Sequence, residues 1–250
     1  MPGLGTLLND ATVVVCGSLG ALLGDRIPAR VRDVVTDGLG LVTLVVGGLN
    51  AAALLDPDLV SEVGRGVPLL IALGSIVIGG MVGAALRFGA RLEDLGASLR
   101  RRLTSGQSSP ENRRRFVEGY VTASLVFCVG PLTVLGSFQD GLGRGIELLA
   151  LKSILDGLAA LAFAASLGWG VVASALTVLV FQGTLTAMAF ALGDVMTDAQ
   201  VAAMTATGGI LLLGVGLRLL RIKAIPVADL LPALLLAPLL TALGGSFFDS

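Results

Sequence analysis

The sequence predicts an all-α integral membrane protein, a polytopic bundle of about eight transmembrane helices. The mean hydropathy is +0.91 and only 14% of the residues are charged, compared with roughly 25% in soluble domains. In addition, no charged side chain occurs over the 37 residues from 157 to 193. Because a helix rises about 1.5 Å per residue and the hydrocarbon core of a bilayer is about 30 Å thick, roughly 20 apolar residues cross it once. The uncharged stretch is therefore long enough for a hairpin of two spans.

Eight apolar stretches are the predicted spans, within a single membrane domain that covers residues 1–250. They are 4–24, 36–55, 67–87, 117–138, 148–166, 170–192, 200–220 and 228–246. The fifth and sixth are separated at 166–170, where two glycines flank Trp169. Seven spans result if this hairpin or the first stretch is misassigned. Pro131 in the fourth span, and Pro232 and Pro238 in the eighth, are expected to kink or break their helices.

Basic residues predict the orientation, because short loops rich in Lys and Arg stay in the cytoplasm. With the amino terminus outside, the inner segments hold 14 of the 17 basic residues, and only Arg65 and Arg144 fall in outer segments. This asymmetry favours eight spans with both termini outside. The cytoplasmic loop 88–116 is either an amphipathic helix in the headgroup layer or a solvated anchor that continues the third span.

Composition and motifs exclude several function classes. The chain has no histidine, which is the commonest general base and metal ligand at neutral pH. The spans contain no HExxH, no GxSxG and no pair of catalytic aspartates, so we do not expect an enzyme, a metal site or a cofactor. Cys16 and Cys128 lie in apolar runs without a CxxC motif and are interpreted as packing residues. Nucleic acid is not an expected partner.

Charged side chains within spans are the first candidates for a functional site. A charge in the middle of a membrane helix costs at least about 2.5–3.5 kcal/mol, so it needs a partner or a function. Lys152 and Asp156 are four residues apart and lie on one helical face. They form either a structural ion pair near the outer boundary or a gate for a substrate or ion whose pairing changes between states.

Uncharged and terminal polar residues supply further candidates. Gln182 lies near the centre of the sixth span, where Gly183 allows local unwinding or, alternatively, the amide makes an interhelical hydrogen bond. Asn9 and Asp10 lie near the outer end of the first span, and a helix cap or interfacial solvation explains them equally well. Asp140 follows the fourth span.

Weak internal similarity suggests an inverted repeat of three helices. When 1–87 is aligned with 117–192, Asp37-Gly38-Leu39 matches Asp156-Gly157-Leu158, and helices 200–246 are then additional. A competing alignment pairs Gly5-Thr6-Leu7 with Gly183-Thr184-Leu185. Separately, small-residue pairs such as Gly20/Gly24 and Gly79/Gly83 predict close approach of helix backbones.

Several ordered motifs resemble a known bacterial membrane family, the one catalogued as domain of unknown function 554. They are GTLLN (5–9), FVEGYVTASLVFCVG (116–130), GSFQDG (136–141), KSILDG (152–157), FQGTLT (181–186) and LLPALLLAPLL (230–240). The resemblance spans nearly the whole chain. It implies a multi-pass protein of the bacterial inner membrane, of a family sometimes described as transport proteins without an established substrate. It carries over no catalytic residues.

The leading functional hypothesis is a transporter or channel for a small solute or ion. Its cavity between the repeats would be lined by Lys152, Asp156, Gln182, Asn9, Asp10 and Asp140. The alternative is a non-transporting assembly or regulatory protein that uses its glycine-rich helix faces and its Arg-rich loop. The expected partners are the lipid bilayer and the solute or ion, and a homo-oligomer is left open.

Overall fold

The computed structural model describes residues 2–24, 28–91, 94, 98, 110–128, 131–192 and 196–248, and these residues form helices and turns without a strand. The α-helices are α1 (Leu4–Gly24), α2 (Ala29–Ala51), α3 (Pro57–Val63), α4 (Val67–Ala85), α5 (Pro110–Cys128), α6 (Pro131–Gly141), α7 (Glu147–Leu167), α8 (Gly170–Leu192), α9 (Asp198–Leu219) and α10 (Ala233–Phe248). Short 3₁₀ segments, Ala52–Leu55 and Val227–Leu230, follow α2 and precede α10. The predicted all-α class is confirmed.

The distribution of apolar side chains fits a lipid environment. Seven segments of the described residues are long and apolar enough to cross a membrane, and α5 with α6 forms a further, bent pair. Large apolar side chains point outward along these helices, for example Leu49 at 71%, Leu158 at 67% and Phe190 at 70% exposure. Several polar side chains of the spans, by contrast, are buried within the bundle, among them Asn9, Lys152 and Gln182. Apolar side chains on the outside and costly polar groups inside fit a bilayer solvent.

Local signals explain where several helices begin and end. Asp56 caps α3 by accepting hydrogen bonds from the backbone of Asp58 and Leu59, and Pro57 occupies its first position. Thr197 starts α9 with a capping box that includes Gln200. The predicted break after the fifth span is confirmed, since α7 ends at Gly168, whose φ of 78° is readily adopted by glycine. The short helix α3 was not predicted.

The chain forms two compact units with interleaved segments. Unit 1 comprises Met1–Leu39, Ala90–Cys128 and Leu132–Gly193, and unit 2 comprises Gly40–Gly89, Val129–Pro131 and Asp194–Ser250. Their boundaries do not follow the ranges of the suggested repeat, which stays a prediction.

In unit 1, α1 and α7 pack side by side along their length. Gly5 contacts Leu149 near one end and Gly24 contacts Ala165 near the other, so the two helices run in the same direction. A methyl group added at Gly20 would overlap the backbone carbonyl of Leu161, and one at Gly24 would overlap that of Ala165. The predicted role of this glycine pair in close helix packing is confirmed.

Helices α5 and α6 form a bent pair in unit 1 that together is long and apolar enough to be counted as one span. The two helices meet at an angle of 78°, and proline occupies the first position of α6. At the start of the pair, Arg115 Nε donates a hydrogen bond of 2.9 Å to the backbone carbonyl of Ser166, at the carboxyl end of α7. At its end, Gln139 Nε2 donates one of 2.9 Å to Glu147, at the amino end of α7.

The pair therefore contacts both ends of α7. Counting it as one crossing gives eight in the part of the chain that the structure describes, in agreement with the prediction. The parallel direction of α1 and α7 requires an odd number of crossings between them, which α2, α4 and the bent pair supply when that pair is counted as one span.

In unit 2, α9 is the most buried of the candidate spans in the described residues, since 72% of its most apolar 18-residue stretch is buried. It packs closely against α2, where an added methyl group at Gly209 would overlap the backbone of Ala51. Gly79 and Gly83 similarly place α4 against Ala233 and Asp229 at the start of the last span. The buried polar groups of this unit are hydroxyls such as Ser75 and Thr207.

Candidate functional site

Four polar side chains meet inside unit 1, and we call them the polar core. They are Asn9 on α1, Lys152 and Asp156 on α7, and Gln182 on α8, with exposed fractions of 0%, 4%, 9% and 0%. In a membrane protein such groups are retained only when they are paired or when they serve a function. The polar core is therefore the first candidate for a functional site.

An ion pair lies at the centre of the polar core. Lys152 Nζ donates a hydrogen bond to Asp156 Oδ2, one turn further along α7. The four-residue spacing predicts this pairing, because side chains at i and i+4 share a helix face. Because the two charges neutralise each other, burying the pair costs less free energy than burying either charge alone.

Asn9 connects this pair to a third helix. Its Nδ2 donates a hydrogen bond to Asp156 Oδ2 over 3.1 Å and another to Gln182 Oε1 over 2.8 Å.

These hydrogen bonds correct two expectations from the sequence. Asn9 is not a helix cap or an interfacial group, because α1 begins at Leu4 and places Asn9 in its buried interior. Helix α8 continues through Gly183 without unwinding, so the alternative of an interhelical hydrogen bond holds for Gln182.

The network leaves unused hydrogen-bonding capacity at two buried atoms. The carboxylate of Asp156 accepts only, so it faces the amide nitrogen of Asn9, and Asn9 in turn faces the oxygen of Gln182. Asn9 Oδ1 and Gln182 Nε2 then point elsewhere, and neither has a hydrogen-bond partner among the described residues. An unpaired buried polar atom costs about 1–3 kcal/mol. One acceptor and one donor are thus available within the core.

A second polar layer lies one helical turn from the first, and we call it the threonine layer. It consists of Thr6, Thr186 and Asp140, all nearly inaccessible to solvent. The two hydroxyls are 3.0 Å apart and link α1 to α8, as Asn9 and Gln182 do one turn deeper. Asp140 accepts hydrogen bonds from the backbone of Gly3 at 3.0 Å and of Thr6 at 3.1 Å.

Asp140 is therefore an external cap for α1. It satisfies amide groups that have no partner within the helix and places a negative charge at the positive end of the helix dipole. Asp10 joins neither layer. Its Oδ1 is buried without a hydrogen-bond partner in the described parts of the chain.

A cavity of about 500 Å³ adjoins the threonine layer and opens to the surface of the unit beside the exposed side chains of Leu7 and Phe190. Its lining combines the start of α1 with the second half of α8, namely Pro2, Gly3, Thr6, Leu7, Leu179, Gly183, Thr186, Ala187 and Phe190. Most of these side chains are apolar, and the hydroxyls of Thr6 and Thr186 are its polar groups. Gly183 contributes to its width, because a Cβ atom there would meet nothing within 4 Å.

The structure thus brings together four of the six predicted site residues, Asn9, Lys152, Asp156 and Gln182. Asp140 lies in the adjacent layer, and Asp10 stands apart. Sequence reasoning missed Thr6 and Thr186, although a signal existed: Thr6 precedes Asn9 by three residues and Thr186 follows Gln182 by four, so each shares a helix face with a core residue. The described residues contain no group of three or more His, Cys, Asp or Glu side chains that could hold a metal ion.

Comparison with known proteins places the chain in a family. Residues 4–242 match the family described as "Protein of unknown function (DUF554)". The chain is 31% identical over 245 residues to "Uncharacterized protein YqgA" of Escherichia coli (strain K12), covering 98% of this chain and 99% of the relative. It is 27% identical over 234 residues to "Uncharacterized membrane protein YdfK" of Bacillus subtilis (strain 168), covering 94% and 93%. No solved structure matches significantly. The chain is a multi-pass membrane protein and belongs to the DUF554 family.

Proposed function

We propose that this protein is a transporter that binds a small solute or ion at the polar core. The observation that carries the proposal is the pair of unused polar atoms, Asn9 Oδ1 and Gln182 Nε2, beside a buried ion pair. If these residues served only for packing, their unpaired amide atoms would lower the stability of the bundle without a compensating benefit. A substrate that supplies the missing donor and acceptor accounts for them.

The adjoining cavity supplies an access route in this proposal. A solute enters between the start of α1 and the second half of α8 and reaches the Thr6–Thr186 pair at the threonine layer. The polar core lies one turn beyond. Opening the route requires the hydroxyl pair and then the Asn9–Gln182 hydrogen bond to separate.

Burial of the core supports a transporter over an open channel. Every member of the polar core is at most 9% exposed, which corresponds to a closed state of a site that opens in turn to each side. The alternative of an assembly protein has less support, because the predicted glycine pairs are covered within the chain, Gly20/Gly24 by α7 and Gly79/Gly83 by the segment at 229–233.

The proposed setting is the bacterial inner membrane with both termini outside. The positive charge of the inner loops supports this orientation, and eight crossings place both termini on the same side of the membrane. Alkaline phosphatase fused after Ser250 is expected to be active, and the same enzyme fused after Arg91 is expected to be inactive. The reverse pattern would contradict the orientation.

Liposome reswelling tests the transport function with a panel of solutes, so that no single substrate has to be chosen. Purified protein is reconstituted, the vesicles are shrunk with excess external solute, and recovery of volume is followed by light scattering for neutral solutes, zwitterions and monovalent salts. At least one solute is expected to restore volume faster than in protein-free vesicles. Asp156→Asn should abolish that acceleration, because it removes the charge that balances Lys152.

Asp58→Asn is the matched control, since it makes the same chemical change at an exposed position on α3. It should leave the recovery rate unchanged. No acceleration by any solute, or equal rates for Asp156→Asn and wild type, would refute the proposal.

A further inference from the structure

The polar core presents spare donors and spare acceptors together. Gln182 Nε2 carries two free N–H groups, and Lys152 uses one of its three ammonium N–H groups on Asp156. On the acceptor side, Asn9 Oδ1 has no partner among the described residues, and Asn9 and Lys152 both donate to the same oxygen of Asp156, Oδ2. A ligand that satisfies the core must therefore both accept and donate.

The charge of the core selects against simple ions. Lys152 and Asp156 sum to zero, but each presents its own sign at the site. A monovalent cation that approaches Asp156 also meets the ammonium of Lys152, and an anion that approaches Lys152 meets the carboxylate of Asp156. A molecule that carries one charge of each sign complements both.

The cavity lies beside the threonine layer, one turn from the polar core, and its lining indicates which solutes can reach the core. Five of its lining side chains are apolar, namely Pro2, Leu7, Leu179, Ala187 and Phe190. A hydrated ion finds few hydrogen bonds there, whereas an aliphatic body is well accommodated. A volume of about 500 Å³ admits a small organic molecule.

We propose that the substrate is a small aliphatic zwitterion of the amino-acid type. Its carboxylate accepts hydrogen bonds from Lys152 and Gln182, and its ammonium group donates to Asp156 and Asn9. This inference rests on the proposed transport function and specifies the chemical class that the polar core takes.

Binding of matched ligands tests the class. Isothermal titration calorimetry on the full chain in nanodiscs compares L-alanine with propionate and ethylamine, which lack its ammonium and its carboxylate respectively. L-leucine is compared in the same way with 4-methylpentanoate and isoamylamine. Each fragment leaves buried partners unpaired, so at least one amino acid should bind at least about ten-fold more tightly than both of its fragments. Equal or tighter binding of a fragment, or no binding of either amino acid, would overturn the proposal.

Two substitutions at Gln182 connect the affinity to the site. Gln182→Met removes the amide at nearly constant volume and should weaken amino-acid binding about ten-fold or more. Gln182→Glu replaces the donor by a carboxylate, so the affinity ratio of alanine to ethylamine should fall. A purely structural role would not shift this ratio, and an unchanged ratio in Gln182→Glu would count against the assignment. Thr207→Val, which changes a fully buried side chain of unit 2, is the control and should bind as wild type does.

The reswelling experiment separates the two proposals. If another solute moves in an Asp156-dependent manner while the amino acids do not bind, the substrate class is wrong and the transport function stands. If no solute moves, the transport function itself is refuted.

Discussion

Lys152 and Asp156 form an ion pair one turn apart on α7, within the interior of unit 1. Asp156 also accepts a hydrogen bond from Asn9 on α1, which in turn donates to Gln182 on α8. The ion pair on α7 is thereby linked to both neighbouring helices. The pair is consequently expected to matter for stability as well as for ligand binding, and the two contributions can be separated.

Removing one partner of the pair should destabilise the fold more than removing both. Lys152→Met leaves a buried carboxylate without its cation and should lower the free energy of unfolding by about 3–5 kcal/mol. The double variant Lys152→Met/Asp156→Leu leaves no buried charge and should recover most of that loss. Unfolding of the detergent-solubilised protein by heat or SDS measures both. A double variant as unstable as the single one would show that the pair is not coupled in this way.

Gly20 should not tolerate even a methyl group. Gly20→Ala drives Cβ into the backbone carbonyl of Leu161 and should cost about 1–3 kcal/mol as α1 moves away from α7. Gly48→Ala is the matched control on α2, where the added atom meets nothing within 4 Å. Alanine is the better helix former, so Gly48→Ala should be neutral or stabilising. Similar melting temperatures for the two variants would contradict the close contact between α1 and α7.

Asp140 should control the order at the start of α1. Asp140→Ala removes the acceptor for the amides of Gly3 and Thr6 and should lower stability by about 1–3 kcal/mol. Hydrogen exchange of the amides in residues 3–7 should accelerate with it. Asp140→Asn retains one acceptor oxygen and should show a smaller change. Unaltered exchange in Asp140→Ala would mean that the carboxylate does not cap the helix.

Filling the cavity should stop transport while the fold persists. Gly183→Leu adds a side chain to the cavity wall at a position without neighbouring atoms within 4 Å. We expect loss of solute-dependent reswelling with a melting temperature close to that of the wild type. Gly48→Leu, on the exposed face of α2, should change neither. Normal flux in Gly183→Leu would exclude this cavity as the access route.

The sequence was sufficient to predict the spans, because burial in a bilayer is governed by the length of an apolar run and by the charges at its ends. The Lys152–Asp156 pair and the Gly20/Gly24 contact were also predictable, since each depends on spacing within one helix. Pro131 correctly indicated a break in the fourth span.

Contacts between distant segments were less predictable. Asp140 reaches the start of α1 across more than 130 positions of sequence, and no local pattern specifies which helix it will cap. Spacing places Thr6 on the face of Asn9 and Thr186 on the face of Gln182, but their pairing depends on α1 and α8 packing side by side. The faces that meet are chosen by the packing of the whole unit, which single-helix periodicity does not encode.

The glycine contacts between α1 and α7 also restrict how the molecule can move. Backbones in such close contact cannot slide or rotate past each other without steric overlap, so α1 and α7 should travel as a single body through any working cycle. That body carries Asn9, Lys152 and Asp156, whereas α8 carries Gln182. In the proposed transport cycle, exposure of the core would therefore require α8 to move away from α1 and α7, and Gln182 would separate from the other three residues.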